Sequence, residues 1–273
     1  MWVNGNFTYL KNEVISTGLL NDDGTYGVWN SGNTFRNVPF QYQTCVGGPL
    51  NQFYLIKNDG IFQTQAEIDA YTKDGNKIQP NARPGDLKFI DYNNDGKIND
   101  ADRQYCGNAD PDFTYALSGG FRWKDLTFSM MLQGVQGAQA IYAANYMLVN
   151  DQEGNFNRSV DILDAWSTTN TGSNIPILSK TDSNGNFTTA SDWYLEDASY
   201  LRIKNVTVSY DLTRLLRKAK HFDERNSSFS VYFSGDNLFT FTKYPGMDPE
   251  CGGWDALKYP VSRVLSLGVK ITY

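Results

Sequence analysis

Apolar and polar residues alternate most regularly in the second half of the chain. From Phe113 to Trp123 the positions Phe113, Tyr115, Leu117, Gly119, Phe121 and Trp123 share one phase. Thr114, Ala116, Ser118, Gly120 and Arg122 hold the other. Alternation sustained over such a run predicts a strand with two unlike faces. Lys124 and Asp125 make a turn, and Leu126, Phe128, Met130 and Leu132 continue in phase through residues 126–136, so the two runs predict a long hairpin. In residues 199–212, Leu201 and Ile203 lie on one phase and Val206, Val208 and Tyr210 on the other. The change of phase near Asn205 predicts a β-bulge. Residues 229–238 set Phe229, Val231 and Phe233 against Ser228, Ser230 and Ser234. The final run sets Leu265, Leu267, Val269, Ile271 and Tyr273 against Ser266, Gly268, Lys270 and Thr272, and its last residue is an aromatic in the apolar phase.

The remaining stretches are less regular. Residues 2–14 have the texture of a strand, residues 20–37 read as turn-rich, and residues 52–57 (QFYLIK) read as a short strand. Thr64, with Glu67 three residues on, predicts a capped short helix over residues 64–71. Residues 80–102 read as a loop, and two polar excursions span residues 137–197 and 241–260. Within the first excursion, residues 138–148 and 159–166 are expected to be helical. The count comes to roughly eight strands at ordinary strand and loop lengths.

These runs match the roughly 9–11 residues that a tilted strand needs to cross a bilayer. An outward apolar phase, a terminal aromatic and oversized loops are the features of an outer-membrane barrel. The expected fold class is therefore all-β: antiparallel strands of a transmembrane β-barrel with long extracellular loops and short helices in those loops. Leu267, Val269, Ile271 and Tyr273 are expected to act as a C-terminal membrane-insertion signal. The rival is a soluble, calcium-stabilised β-rich domain that binds carbohydrate.

Composition narrows the choices. Glycine is frequent, 14% of residues are aromatic and only 20% are charged, which is a β composition that needs to bury or stack its rings. The formal net charge of -6 leaves no basic stripe for phosphates, so a nucleic-acid partner is not expected. No apolar run approaches the roughly 18–20 residues of a spanning helix. Residues 1–14 show no basic-then-apolar leader pattern, which fits either a cytoplasmic protein or a piece of a longer one. Cys45, Cys106 and Cys251 are far apart and odd in number, so neither a disulfide framework nor a zinc site is implied.

The best local motif is residues 91–102, DYNNDGKINDAD, which follows the twelve-residue calcium loop of the EF-hand. Asp91, Asn93 and Asp95 take its first three ligand positions, and Gly96 makes the sharp turn. Lys97 offers its carbonyl, Asn99 acts directly or through water, and Asp102 stands where a glutamate is usual. The expected ion is Ca2+ in a structural role; the alternative is an Asn/Asp/Gly turn without metal. Trp193, Tyr194, Tyr244 and Trp254, with Asp248 and Asp255 beside them, are candidate substrate contacts, since rings stack on sugar faces while carboxylates take hydroxyls. Loop packing or a membrane aromatic belt are the competing uses of these rings, and of Tyr259. No enzyme is expected. There is no G-x-S-x-G, dinucleotide fingerprint or P-loop, His221 lies in a charged stretch, and Glu196 and Asp197 are neighbours that a strand would point apart.

Read in order, several segments are similar to one known family. They are GIFQT (60–64), Pro84-Gly85-Asp86, DYNNDGKIND, Gly107-Asn108 with PDFTY (111–115), LQGVQG (132–137), EDASYLRIKNVTVSY (196–210), SGDNLFTFTKYPGMDPE (234–250) and the closing YPVSRVLSLGVKITY. Together they resemble the C-terminal third of SusC/RagA-type TonB-dependent outer-membrane transporters. The resemblance implies residues 1–273 of a partial receptor barrel, with no plug domain and no TonB box among them. It also implies an outer-membrane nutrient importer in a Bacteroidetes-type bacterium, taking up oligosaccharides or peptides. Its implied partners are a SusD-like surface lipoprotein, outer-membrane lipid, and the TonB complex acting through an N-terminal plug that these residues do not contain.

Overall fold

The computed structural model describes residues 1–151, 157–218 and 227–272. In chain order the strands are β1 (Trp2–Tyr9), β2 (Trp29–Phe35), β3 (Val38–Thr44), β4 (Gln52–Ile56), β5 (Asn58–Ile61), β6 (Thr72–Lys73), β7 (Asn76–Lys77), β8 (Leu87–Phe89) and β9 (Arg103–Tyr105). There follow β10 (Phe113–Trp123), β11 (Leu126–Gln136), β12 (Gln139–Tyr142), β13 (Leu195–Asp197), β14 (Tyr200–Asp211), β15 (Ser228–Thr242), β16 (Trp254–Asp255) and β17 (Val264–Thr272). Three short helices intervene: α1 (Gln65–Ala70), α2 (Asn145–Leu148) and α3 (Thr213–Lys218).

The alternating strands assemble into one antiparallel sheet in the order β1-β10-β11-β14-β15-β17. Cross-strand partners lie on the same face, so the register reveals what each face carries. One row runs Phe121–Phe128–Val208–Phe233–Leu267. The next row on the same face runs Gly119–Met130–Val206–Gly235–Leu265, and a third runs Leu117–Leu132–Ile203–Phe239. Between the first two, on the opposite face, lies Gly120–Ser129–Thr207–Ser234–Ser266. One face of the wall is thus apolar across its width and the other is mostly polar. The expected bulge is present: the register shifts between Ile203 and Asn205 against β15, and opposite Met131 and Leu132 of β11. That shift keeps Ile203 and Val206 on the apolar face despite their odd spacing.

Two strand glycines are fitted to rings. A Cβ on Gly134 would lie 2.1 Å from the Tyr115 ring of the neighbouring strand, and a Cβ on Gly268 would lie 2.3 Å from Tyr232. In both cases a ring on one strand covers a glycine directly opposite, a device that packs aromatic area where a second side chain would not fit.

The connections divide by length. At one end of the wall, β10 turns into β11 through Lys124 at φ 56°, and α3 follows β14 directly. At the other end, residues 10–112, 137–151, 157–199 and 243–263 form a lobe. Its core is Val38, Phe40, Phe53, Leu55, Ile141, Ala143, Tyr146, Val149, Phe187, Ala190 and Tyr194, none of them from the wall. The largest lobe sheet has the order β2-β3-β4-β9, and a smaller one the order β13-β12-β16.

Several expectations need correction. Residues 20–37 were expected to be turns, but they include β2, which pairs with β3 around Arg36 at φ 55°. Residues 138–148 hold a strand, β12, and only the single turn of α2, while 160–164 form a 3-10 turn. Between residues 139 and 142 the chain is held as a strand between β13 and β16. Short lobe strands raise the total well above eight. Thr64 caps α1 as expected, accepting from the Glu67 amide, but Glu67 reaches back to the Gln63 amide, one residue before the cap.

Candidate functional site

The polar face of the wall ends, on the lobe side, in a buried cation. Arg202 of β14 is 2% exposed and is held on four sides. Its guanidinium donates to Asp248 Oδ1 at 2.6 Å, Glu250 Oε2 at 2.7 Å and Thr240 Oγ1 at 2.9 Å, and lies 5.1 Å from the Tyr200 ring centre. Asp248 also accepts from the Glu250 and Val261 amides. Burial pushes against its charge, but those two amides and Arg202 together hold its carboxyl below the ordinary value. Asp248, expected as a substrate contact, is instead the clasp that ties the 243–263 loop to the wall.

The 91–102 loop adopts a tight ring. Asn94 at φ 59° and Gly96 at φ 84° make its sharp turns. Asp91 accepts from the amides of Asp95 and Gly96, and Asp95 accepts from the Lys97 amide. The Asp95 carboxylate also lies 3.1 Å from Asn93 Nδ2 and 3.2 Å from Asn99 Nδ2. Hydrogen bonds, that from Asn93 foremost, hold its pKa below the ordinary value. Asp102 is fully buried and accepts from the amides of Tyr92, Asn93 and Asn99, closing the ring from inside. Among the described residues no group of three or more His, Cys, Asp or Glu is placed to hold a metal ion. The exposed side of the ring does gather hard oxygen donors on Asp91, Asn93, Asp95 and Asn99, the chemistry calcium takes.

The loop aromatics separate into two groups. Tyr194 is fully buried and donates to the Phe187 carbonyl at 2.7 Å, packed edge-on to Phe40. Tyr244 is buried and donates to Asp255 Oδ2 at 2.8 Å, and burial raises its pKa far above the phenol range. Asp255 is buried too and caps the Lys258 amide. These three were expected at a substrate surface; their polar atoms are instead spent inside the lobe. Trp193 is half-buried, with its indole N–H on the Asn174 carbonyl, and lines a hollow with Asn58, Gln63 and Ser173. Trp254 is half-buried against Phe40, their ring centres 5.4 Å apart. It opens on a cleft of about 420 Å³ shared with Ser31, Asn33, Tyr42 and Asn51. An adjoining hollow of about 700 Å³ shares Ser31, Leu50 and Asn51 and adds Trp29. The sequence reading missed Trp29, Tyr42 and Asn51. The signal available was Trp29 in a polar run, WNSGNTF, which has the composition of a wet strand face.

At the other end of the chain, Leu267, Val269 and Ile271 project from β17 on the apolar face, and Leu267 is 83% exposed. Tyr273, expected beside them, and His221 lie outside the described residues. No helix among the described residues is long and apolar enough to cross a membrane.

A wall with one apolar and one polar face, short turns at one end and a folded lobe at the other defines a class: the transmembrane β-barrel. Comparison with known proteins carries this further. No family model matches the chain. It is 27% identical over 240 residues to TonB-dependent receptor P3 of Formosa agariphila, covering 83% of this chain and 22% of that protein. It is 25% identical over 271 residues to TonB-dependent receptor SusC of Bacteroides thetaiotaomicron, covering 98% of this chain and 24% of SusC. Among solved structures, the RagAB peptide transporter superposes with a TM-score of 0.68 at 24% identity, covering 99% of this chain and 27% of that one. The RagAB peptide importer in its open-open state gives 0.69 at 21% identity. The chain is a homologue of TonB-dependent receptors, and the resemblance to the C-terminal portion of a SusC/RagA-type outer-membrane transporter holds. Its fold is that of their barrel strands, and the expected outer-membrane location stands with that homology. The chain spans about a quarter of the length of the curated relatives it matches. Those relatives are receptors and transporters rather than enzymes.

Proposed function

We propose that this chain supplies barrel wall and extracellular loops to an outer-membrane importer that takes up oligosaccharides or peptides. The observation that carries the reading is the register of the six-stranded sheet, which puts apolar side chains in lateral rows on one face and mostly polar ones on the other. A soluble sheet would leave that apolar face as a large exposed patch; lipid removes the penalty. The polar face then lines the lumen, the lobe faces the exterior, and Leu267, Val269, Ile271 and Tyr273 serve insertion. The edge strands β1 and β17 pair with strands of a longer barrel, because unpaired edges are costly in hydrocarbon. The implied partners are a SusD-like surface lipoprotein and, through a plug, the TonB complex. A soluble carbohydrate-binding domain predicts the opposite behaviour, which makes the test direct. Expressed without its neighbours, the chain is expected to require detergent and to partition into lipid vesicles, with the 113–123 and 126–136 strands protected from protease. Recovery as a soluble monomer without detergent would reject the lipid-facing assignment.

We infer further that the 91–102 ring takes one Ca2+ through Asp91, Asn93, Asp95, Asn99 and the Lys97 carbonyl. Asp102 closes the ring from behind as the twelfth position. Support comes from the spacing, the left-handed Asn94 and Gly96, and the oxygen donors that the ring gathers. Calcium is expected to raise the melting temperature of the chain and a chelator to lower it, with Asp91→Ala abolishing both responses. Responses that persist in Asp91→Ala would place the ion elsewhere.

A further inference from the structure

The wall is one strand narrower at its lobe end. β15 runs on to Thr242, but its pairing with β17 stops where Asp236 meets Val264. Two apolar rows near the lobe, Leu117–Leu132–Ile203–Phe239 and Phe7–Tyr115–Gly134–Leu201–Phe241, therefore reach β15 and find no strand beyond it. Rings recur in these rows, as they do where a barrel wall meets the membrane surface. Residues 256–263 fold in beside the uncovered stretch, and the Asn237 side chain donates to the Ser262 carbonyl at 3.1 Å. Between this loop and the strand is a hollow of about 330 Å³. Its open side is formed by Phe239, Met247 and Val261, all exposed, and its floor by the clasp of Arg202 and Asp248.

Two cations stand at this rim. Arg263 continues the phase of Leu265 and Leu267 past the end of β17, and its guanidinium lies 5.1 Å from the centre of the Phe239 ring. Stacking uses the face of the guanidinium and leaves its N–H edge for another partner. Lys243 continues the phase of Phe239 and Phe241 past the end of β15 and is exposed. Among the described residues neither cation has a carboxylate within ion-pair distance. Asp248, the carboxylate in the hollow, spends its oxygens on Arg202 and on the Glu250 and Val261 amides. The cations sit just beyond the last lipid-facing rings, at the depth of bilayer headgroups. Beside them lies apolar surface that water wets poorly. An anion carried on an apolar tail satisfies both. Phosphate is the anion that suits the planar fork of a guanidinium, through two parallel bonds. A soluble anion would leave Phe239, Met247 and Val261 bare, and an uncharged lipid would leave Arg263 and Lys243 without a counter-charge.

We propose that this hollow is a docking site for a membrane lipid with an anionic phosphate headgroup. Arg263 takes the phosphate, Lys243 adds a second positive charge along the same rim, and Phe239, Met247 and Val261 take the first carbons of the acyl chains. The proposal rests on the barrel reading, which puts this face in lipid, and goes beyond it by assigning one lipid class to one place on the wall.

The full chain, purified in dodecyl maltoside, is titrated with monophosphoryl lipid A, dimyristoylphosphatidylglycerol and dimyristoylphosphatidylcholine, and native mass spectrometry counts the lipids retained. Inorganic phosphate serves as the anion without a tail. At least one of the two anionic lipids is expected to bind at least tenfold more tightly than the choline lipid, and millimolar phosphate is expected not to displace it. Arg263→Gln is expected to raise the Kd at least fivefold with an unchanged circular dichroism spectrum. Arg263→Lys should keep part of the affinity, because the charge remains while the fork is lost. Lys124→Gln is the comparison, since Lys124 also sits over a ring, 5.0 Å from the Trp123 centre, at the opposite rim; it is expected to leave the affinity unchanged. The proposal is overturned if the choline lipid binds as tightly as both anionic ones, or if phosphate alone displaces them. It is equally overturned if Arg263→Gln has no effect, or if Lys124→Gln weakens binding as much. Protease protection of β10 and β11 in vesicles reports on the barrel reading separately. A chain that inserts but does not prefer anionic lipid refutes only the docking site, whereas one that fails to insert refutes both.

Discussion

Single side chains decide how the loops are held. Arg202 is the clearest case, since it pairs with Asp248 and Glu250 in a place where the guanidinium is 2% exposed. Removing one partner of such a cluster leaves the other charges short of compensation. Arg202→Met should therefore cost on the order of 3 kcal/mol. It should also release the 243–263 loop, seen as faster tryptic cleavage after Lys258, an exposed site that the folded loop holds against the Glu250 and Cys251 carbonyls. Arg202→Lys should restore part of the protection but not all, because a point charge cannot bond both carboxylates as the fork does. The same clasp makes a pH prediction. Asp248 has its folded pKa below the unfolded value of about 3.9. Its stabilising contribution is thus fully present above about pH 4 and is lost as pH falls through the lower, folded value. Fluorescence-detected melting in detergent between pH 2 and 7 should show this acid loss in the native chain and a weaker one in Arg202→Met.

The strands were read from the sequence where both faces impose a rule. In β10 and the first part of β11 the large apolar residues keep to one phase, so that phase can be assigned and the turn at Lys124 and Asp125 follows. The bulge at Asn205 was legible for the same reason, since a phase slip has one economical explanation. β2 was not legible. Trp29, Asn30, Ser31, Gly32 and Asn33 are exposed, so burial imposes no alternation on them. β12 was misread because Gln139, Ala140, Ile141 and Tyr142 are nearly all buried, and a continuously buried strand looks like the start of a helix. Likewise, sequence could name Tyr194, Tyr244 and Trp254 as unusual aromatics. It could not say that the first two find hydrogen-bond partners inside while the third opens on a cleft, because those partners lie in distant segments. Strand pairing also yields a test at this scale. Gly134→Ala should collide with the Tyr115 ring and cost about 1–3 kcal/mol. The cost should shrink when Tyr115→Ala is present, because the clash then has no second partner. Urea unfolding of the four variants in detergent measures the coupling, and additive costs would mean that the ring does not cover the glycine.

At the scale of the molecule, packing and membrane chemistry are segregated. The buried core belongs to the lobe, while the wall carries its apolar residues outward and exposed. β10 spans eleven residues. At about 3.3 Å per residue and a tilt near 40° it rises about 28 Å, close to the apolar band of an outer-membrane barrel at about 25 Å. The two faces can therefore be told apart by substituting neighbours. Met130 and Ser129 are consecutive in β11, near the middle of the strand, and belong to opposite rows. In a barrel, Met130→Arg places a charge in hydrocarbon and should cost about 2–4 kcal/mol. Ser129→Arg reaches the aqueous lumen and should cost little. In a soluble domain whose apolar face packs against protein, Ser129→Arg would again be mild, but Met130→Arg would not depend on lipid. Measuring both variants in thin and thick bilayers separates the cases. For a barrel the penalty at Met130 grows with hydrocarbon thickness while that at Ser129 stays flat. Equal penalties at the two positions would mean that the alternation read along the strand does not divide lipid from water.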